Sequence, residues 1–431
     1  MIRKDCMHET GSLMSNVFIR RMLLAAVIII FNSQFSIFNS AHAQELSHRL
    51  DSVIGEAKML ETSQMGLMVY DLDGDSVVYE RDARQTMRPA STMKLFTAIT
   101  ALDKLGTEYE YRTTLKVAGS NASQVQESSN ASQVQEVQES SNLKPSIEAL
   151  YLVGAMDPLI TEDDLRAMVD SLRAMGIDTV RGNIYMDHSM KDSDLYGEGW
   201  CWDDDNPMLS ALVYNRKDDM GGHLRRYMMA DSIYVMGRAV RGRCPDDAET
   251  IYEIRHKLTD VLIPMMKQSN NLYAESVFYH IGLTKGKPST AKKASRVLEA
   301  QLSTVNSQLS TLNSPHRFAD GSGLSLYNYV SAEMEVMLLR YAYRNDSIYG
   351  ALCEMLPIAA VDGTLKDRMA GTPAVGNVRA KTGTLSGVYS LAGYCTAANG
   401  NKLAFAILNQ GVMKAAPARA LQDRICIELC K

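Results

Sequence analysis

The sequence predicts an α+β fold that carries an inserted α/β domain. Strand patterns joined by turns occur near both ends of the chain, at residues 67–80 and 391–408. Apolar residues at helical spacing follow Pro89, and residues 145–190 alternate between strand and helix patterns. The 431 residues exceed a typical domain of about 100–200 residues, so we expect more than one structural unit.

The N-terminal residues have the pattern of a secretory signal peptide. Arg20 and Arg21 precede an apolar run from Met22 to Phe31, and Ala41-His42-Ala43 offers a small-x-small cleavage site. The apolar run is shorter than the roughly 20 residues that a membrane-spanning helix needs, although an uncleaved anchor remains the alternative. We therefore expect residues 1–43 to be removed on export to the periplasm, with at most a loose membrane or cell-wall association of the product.

Local patterns predict the elements on either side of the insert. Leu67–Asp71 and Val77–Glu80 have strand composition and flank the turn Asp73-Gly74-Asp75. Asn399-Gly400 is typical of a tight hairpin turn between two further strands. A closing helix is expected from about residue 415 to residue 430.

The insert is predicted from an alternation of strand, helix and strand patterns, which occupy Ala149–Val153, Asp163–Met175 and Gly182–Met186. We assign residues 44–104 and 250–431 to one catalytic domain and residues 105–249 to the inserted α/β domain. Within the insert, residues 120–142 contain a polar near-duplicate without apolar periodicity. We expect this segment to be a solvated, low-complexity loop.

The composition is that of an ordinary globular protein, with 46% hydrophobic and 22% charged residues and a formal net charge of -5. No basic patch is indicated, so we expect no nucleic-acid partner. The cysteines that follow residue 43 show neither Cys-x-x-Cys spacing nor a neighbouring His-Glu-x-x-His motif. We therefore expect structural cysteines, no metal and no other cofactor.

Ser91-Thr92-Met93-Lys94 places a hydroxyl and an amine on one face of the predicted helix, because residues three apart are neighbours on a helix. A lysine acts as a base only when it is neutral, and burial or a second cation such as Lys381 lowers its pKa. The same spacing recurs at Ser289-Thr290-Ala291-Lys292, in a polar stretch. We favour Ser91 as the nucleophile, since it begins an apolar helix and precedes the two motifs described next.

Two later motifs supply the other parts of a serine acyl-transfer site. Ser269-Asn270-Asn271 adjoins an apolar helix, whereas similar triplets at residues 128–130 and 140–142 lie in the low-complexity loop. Lys381-Thr382-Gly383-Thr384 occurs once, on a predicted strand, and its glycine lets a substrate backbone lie alongside that strand. The order of the three motifs along the chain predicts acyl transfer to a serine.

These motifs, together with Gly197–Asp203, Asp320–Ser325 and Val361–Leu365, resemble the class C low-molecular-mass penicillin-binding proteins, a family of D-alanyl-D-alanine carboxypeptidases and endopeptidases. The resemblance implies a penicillin-binding protein/β-lactamase-like transpeptidase fold, with an antiparallel sheet and a helical side. It also implies a penicillin-binding enzyme that cleaves peptidoglycan stem peptides or cross-links. β-Lactam antibiotics would be its covalent inhibitors.

The resemblance further implies a role for each motif residue. Ser91 would attack the carbonyl between the last two D-alanines, with Lys94 as the base. Ser269 would return the proton to the leaving amine, Asn271 would bind a substrate amide, and Lys381 would keep Lys94 neutral. The strand would bind the substrate, and hold its carboxylate, through Thr382, Gly383 and Thr384.

Two other functions remain open from the residues alone. A serine β-lactamase is the nearest enzyme, but Tyr343-Arg344-Asn345 lies only 36 positions before Lys381, and no Glu-x-x-Leu-Asn element follows Ser269. A non-catalytic cell-wall-binding scaffold would have a vestigial site, whereas every motif residue is present here. We therefore expect a peptidoglycan DD-peptidase.

Overall fold

The computed structural model describes residues 44–118, 146–204, 206–307 and 315–431. The predicted signal peptide, residues 1–43, and the predicted low-complexity loop, residues 120–142, lie outside the described residues. Within the described part, no helix has the length and the apolar character needed to cross a membrane.

Helix α1, residues 44–55, belongs to a unit of its own that ends at Ala57. Glu45 and Arg49 lie four residues apart on this helix and form an ion pair of 3.0 Å. All elements described below belong to the second unit, Lys58–Lys431.

The first sheet contains five antiparallel strands and is built from both ends of the second unit. Their spatial order is β11 (Arg379–Leu385), β12 (Val388–Thr396), β13 (Lys402–Gln410), β1 (Gln64–Asp71) and β2 (Ser76–Arg81). The two predicted hairpins, at residues 67–80 and 391–408, are confirmed. Strand β11, which carries the Lys-Thr-Gly-Thr motif, lies at one edge of this sheet.

The helices of the second unit are α2 (Met93–Lys104), α3 (Glu162–Ala174), α4 (Met220–Ala230), α5 (Leu258–Lys267), α6 (Asn271–Leu283), α7 (Ala291–Ser307), α8 (Ala332–Tyr343), α9 (Asp346–Met355) and α10 (Ala415–Leu429). Helix α2 confirms the pattern that follows Pro89, and every residue from Met93 to Leu102 is buried. It packs against α6 and α8, and α8 packs in turn against β1 and β13. This central helix therefore carries a polar residue, Lys94, into the core.

The insert contains a second, mixed sheet with the order β10 (Glu249–Lys257), β3 (Glu110–Val117), β5 (Leu150–Val153), β7 (Ile184–Asp187) and β9 (Ala239–Arg241). Short parallel strands β4 (Ser146–Ile147), β6 (Thr179–Val180) and β8 (Tyr234–Val235) form a third sheet. The predicted end of the insert at residue 249 is corrected here, because β10 pairs along its length with β3, with Lys257 opposite Glu110. The pairing partner is distant in sequence, so no local pattern indicated it.

Candidate active site

Ser91 lies in a tight turn, Ala90–Thr92, that leads directly into α2. Ala90 has a φ angle of +50°, in the left-handed region that favours glycine, so the turn is strained. Gly323 lies against this turn, since a Cβ atom at Gly323 would stand 1.8 Å from the Ala90 carbonyl oxygen. Close backbone packing therefore holds the predicted nucleophile in place.

Lys94 is fully buried, three residues beyond Ser91. Its Nζ lies 2.9 Å from Ser91 Oγ, 2.8 Å from Asn271 Oδ1 and 2.7 Å from the Ser322 carbonyl oxygen. Burial lowers the pKa of Lys94 to about 7, although two nearby carboxyl groups act in the opposite direction. The amine can therefore be neutral near pH 7 and lies within hydrogen-bonding distance of the Ser91 hydroxyl.

The loop Asp320–Gly323 presents the carbonyl that contacts Lys94. The Asp320 carboxylate is fixed by N–H donors of Trp200, Gly323 and Ser325. Glu275, on α6, accepts from the Ser322 N–H at 2.8 Å, and burial followed by the charge of Asp320 raises the pKa of Glu275 to about 8. In the sequence this loop served only as part of the family resemblance, so the contact between Ser322 and Lys94 was missed.

The second motif forms the start of α6. Asn270 is the N-cap, and its side-chain oxygen accepts from the Tyr273 N–H at 3.4 Å. Ser269 precedes the cap with a φ angle of +61°, and Asn271 is the first helical residue. Because Asn271 Oδ1 accepts from Lys94, its amide nitrogen remains as a donor toward the cleft.

Lys381 is a second fully buried lysine, on β11. Its Nζ donates to Ser269 Oγ and to the Thr382 carbonyl oxygen, both at 2.8 Å. Burial and then the positive charge of Lys94 hold the pKa of Lys381 well below its usual range. The two lysines repel each other when both are charged, so the site disfavours the doubly protonated state.

Gly383 is required by packing inside the protein. A Cβ atom there would stand 2.0 Å from Ser390 Oγ, 2.7 Å from the Pro89 carbonyl oxygen and 3.0 Å from the Ser91 nitrogen. The sequence interpretation attributed this glycine to the approach of a substrate backbone. The structure adds a second reason, because any larger residue would separate β11 from the Ser91 turn.

A cleft of about 620 Å³ lies at this site. The motif residues that line it are Ser91, Ser269, Asn271, Thr382, Gly383 and Thr384. The remaining two predicted residues, Lys94 and Lys381, are buried and contact Ser91 and Ser269 through their amines. The structure thus brings all the predicted site residues together.

The cleft also contains residues that the sequence did not indicate. Arg368 is held by Asp423 at 2.7 Å and by Gln422 at 3.2 Å. Arg419, on α10, is exposed, and no described residue pairs with its guanidinium group. Thr364 accepts from Thr382 at 2.7 Å. It lies in Val361–Leu365, one of the segments that resemble the family, so the sequence could have indicated it. No local pattern distinguishes Arg419.

The second Ser-x-x-Lys copy has a different environment. Ser289 is fully buried and donates to the Tyr279 carbonyl oxygen at 2.6 Å, while Lys292 is exposed at the start of α7. Within the described residues, no hydrogen bond joins the two side chains. Ser289 therefore has a structural role, since its hydrogen bond connects the start of α7 with α6.

A serine at the start of a helix, a buried lysine that contacts it, and a second buried lysine on an edge strand define the class of serine acyl-transfer enzymes. The chain matches the D-Ala-D-Ala carboxypeptidase 3 (S13) family over residues 46–215 and 205–427, and it belongs to that family. The predicted family and fold class are confirmed. The chain is accordingly a hydrolase of this peptidase family.

Several known proteins are similar along most of the chain. A D-alanyl-D-alanine carboxypeptidase of Actinomadura sp. (strain R39) is 29% identical over 490 residues, which cover 91% of this chain and 86% of that protein. The crystal structure of penicillin binding protein 4 from Haemophilus influenzae has a TM-score of 0.75 at 23% identity and covers 90% of this chain and 99% of that one. The same Haemophilus protein complexed with a β-lactam has a TM-score of 0.69, with the same identity and coverage.

Proposed function

We propose that this chain is a serine D-Ala-D-Ala carboxypeptidase and DD-endopeptidase that cleaves peptidoglycan stem peptides or cross-links through an acyl-enzyme on Ser91. The observation that carries the proposal is the set of contacts that join Ser91 and Asn271 to Lys94, and Ser269 to Lys381. Family membership and the similar carboxypeptidases supply the substrate class.

Acylation begins with proton transfer from Ser91 Oγ to the neutral amine of Lys94, which lies 2.9 Å away. The Ser91 oxygen then bonds to the carbonyl carbon between the two terminal D-alanines. The backbone N–H groups of Ser91 and Thr384 stabilise the resulting oxyanion. Loss of one such donor lowers the rate by about 100- to 1,000-fold in serine enzymes.

Release of the leaving group needs a proton on its nitrogen. Ser269 Oγ accepts from Lys381, so it can give its own hydrogen to the leaving amine and take a proton from Lys381 in return. In a carboxypeptidase reaction this amine belongs to the terminal D-alanine, and in an endopeptidase reaction it belongs to the cross-linked peptide. Water then attacks the Ser91 ester and gives one proton to the now neutral Lys381, while Lys94 returns its proton to Ser91 Oγ as the shortened peptide is released.

Substrate binding uses the exposed edge of β11 and the groups around it. The peptide lies along Thr382–Thr384 as an added strand, with the Asn271 amide nitrogen donating to a peptide carbonyl. A carboxypeptidase substrate also carries a free carboxylate on its terminal residue. Thr384 and the unpaired guanidinium of Arg419 line the same cleft and bind this carboxylate.

β-Lactams acylate the same serine, because the lactam amide replaces the scissile peptide bond and its acyl-enzyme hydrolyses slowly. The β-lactam complex of the similar Haemophilus protein supports this class of inhibitor. Export to the periplasm, directed by residues 1–43, would place the enzyme beside its peptidoglycan substrate.

Incubation with a fluorescent penicillin, followed by intact-mass measurement, tests this function. We expect one stable adduct on the wild-type protein, retained by Ser289→Ala and lost in Ser91→Ala. Rapid destruction of the drug without an adduct would instead indicate a β-lactamase. The absence of both an adduct and drug turnover would indicate a non-catalytic scaffold.

A further inference from the structure

A buried carboxyl group beside the Ser91 turn has no part in the reaction described above. Glu335, on α8, is fully buried, and its Oε1 lies 2.5 Å from Thr92 Oγ1. Its other oxygen, Oε2, has no hydrogen-bond partner among the described residues. Thr92 directly follows Ser91, so Glu335 is connected to the nucleophile's backbone through a single residue.

Three short oxygen–oxygen contacts connect Glu335 with the Pro89 carbonyl. Thr92 Oγ1 lies 2.5 Å from Glu335 Oε1 and 2.8 Å from the Pro89 oxygen. Ser390 Oγ lies 2.5 Å from the same Pro89 oxygen and, at a longer distance, 3.4 Å from Thr92 Oγ1. A carbonyl can only accept, and each hydroxyl has a single hydrogen to donate.

The number of hydrogens decides the state of the carboxyl group. If Glu335 is ionised, the hydrogens of Thr92 and Ser390 must serve all three contacts, and one contact has none. If Glu335 is a neutral acid, it donates to Thr92, Thr92 donates to Pro89, and Ser390 donates to Pro89 as well. Only the neutral acid gives each of the three short contacts a hydrogen.

The environment of Glu335 favours the same state. Burial raises the pKa of Glu335 to about 8, and the hydrogen bond with Thr92 offsets this only in part. An isolated carboxylate in an apolar interior is strongly disfavoured. Glu335 is therefore largely protonated near pH 7.

The Pro89 carbonyl is an anchor of the nucleophile turn. It accepts from the side chains of Thr92 and Ser390, and it immediately precedes Ala90, whose φ angle is +50°. Such a conformation persists only where surrounding contacts fix it. The orientation of the Ser91 N–H and hydroxyl depends on that fixation.

We infer that Glu335 is a positioning residue for acylation, which as a neutral acid donates to Thr92 and so leaves the Thr92 hydrogen for the Pro89 carbonyl. The inference rests on the proposed acylation of Ser91. It requires a hydrogen-bond donor at position 335 and no negative charge there.

The test compares paired variants in the rate constant for acylation by a fluorescent penicillin, and in kcat and KM for a D-Ala-D-Ala peptide. Glu335→Met and Thr92→Val remove the hydrogen-bond chain, and we expect acylation and kcat to fall by about 10- to 100-fold with KM nearly unchanged. Glu335→Gln and Thr92→Ser keep a donor, and we expect them to stay within about threefold of wild type.

Thermal unfolding separates positioning from folding. Glu335→Met replaces a partly unsatisfied polar group with an apolar one, so we expect a slower enzyme whose melting temperature is unchanged or higher. Glu333→Gln is the matched control, since Glu333 is also buried on α8 but pairs with Arg84. It should acylate at the wild-type rate.

Two results would overturn the inference: wild-type acylation by Glu335→Met, or an equal loss in Glu335→Gln and Glu335→Met. If Thr92→Val does not fold, the two Glu335 variants still decide the question. Failure of the proposed function can be distinguished from failure of this inference, because the wild-type protein would then form no penicillin adduct at all.

Discussion

The chain carries the Ser-x-x-Lys spacing twice, and the two copies have opposite environments. At the first copy Ser91 lines the cleft, and the amine of Lys94 is fully buried 2.9 Å away. At the second copy the Ser289 hydroxyl is buried and bonded to a carbonyl, and Lys292 is exposed. The comparison shows that the same spacing can place a serine in a cleft beside a buried amine or bury it against a carbonyl, so the spacing alone does not specify the nucleophile and base that we propose.

The difference arises from what packs around each copy. The first copy lies in the core between α6, β11 and the Asp320–Gly323 loop, where burial favours the neutral form of Lys94. The second copy lies at the junction of α6 with α7. There the Ser289 carbonyl oxygen accepts a hydrogen bond from the Asp192 N–H, and the Ser289 N–H donates to the Met190 carbonyl oxygen. The environment of the first copy suits the proposed proton transfer, and that of the second connects structural elements.

The largest expected difference between the copies concerns their lysines. Lys94→Met removes the base and keeps the length and burial of the side chain, so we expect penicillin acylation to slow by about 100- to 10,000-fold. Lys292→Met changes an exposed side chain and should leave the rate unaltered. Stopped-flow measurement of acylation checks both, and equal rates for Lys94→Met and wild type would contradict the assignment of the base.

The pH dependence of acylation sharpens the same contrast. Burial lowers the pKa of Lys94 to about 7, so the amine is protonated below that pH and cannot accept the Ser91 proton. We expect the rate constant to fall about tenfold per pH unit below pH 7, and hence about 100-fold at pH 5. The residual acylation rate of Lys94→Met should not show this decrease at acidic pH. A wild-type rate that is constant between pH 5 and pH 8 would exclude Lys94 as the base.

The sequence was sufficient for features that depend on local pattern. The helix after Pro89, the Asn399-Gly400 hairpin and the three motifs all follow from residues close together in the chain. The sequence did not show that β10 joins the insert's sheet, because that pairing links strands far apart. Nor did it indicate Glu335, since a buried acid becomes informative only when its hydrogen-bond partner, Thr92, is known.

Arg419 distinguishes the cleft from the Ser289 region, because no described residue pairs with its guanidinium group, which we propose binds a substrate carboxylate. We expect Arg419→Ala to raise KM for a peptide ending in a free D-Ala carboxylate by about two- to fivefold, since exposed ion pairs contribute little. The same peptide with a terminal carboxamide should be unaffected. Lys414→Ala is the matched control, because Lys414 is exposed and directly precedes α10 but lies outside the cleft lining.

Two results would contradict the proposed contact between Arg419 and the substrate carboxylate. If KM for the carboxylate and carboxamide peptides rises equally, Arg419 shapes the cleft without binding the carboxylate. If Lys414→Ala has the same effect as Arg419→Ala, the change reflects the general positive potential of this surface. Only a loss confined to the carboxylate peptide and to Arg419→Ala supports the proposed contact.

The smallest effect concerns Ser289, whose importance should appear in stability rather than in catalysis. Ser289→Ala removes a buried hydrogen bond to the Tyr279 carbonyl, a change that costs about 1 kcal/mol in the free energy of unfolding. Thermal or urea unfolding measures this loss, and penicillin acylation should proceed at the wild-type rate. Ser91→Ala should show the reverse, with no acylation and little change in stability, because the Ser91 hydroxyl faces the cleft. A Ser289→Ala variant that kept its stability and lost acylation would reverse the assignment of the two copies.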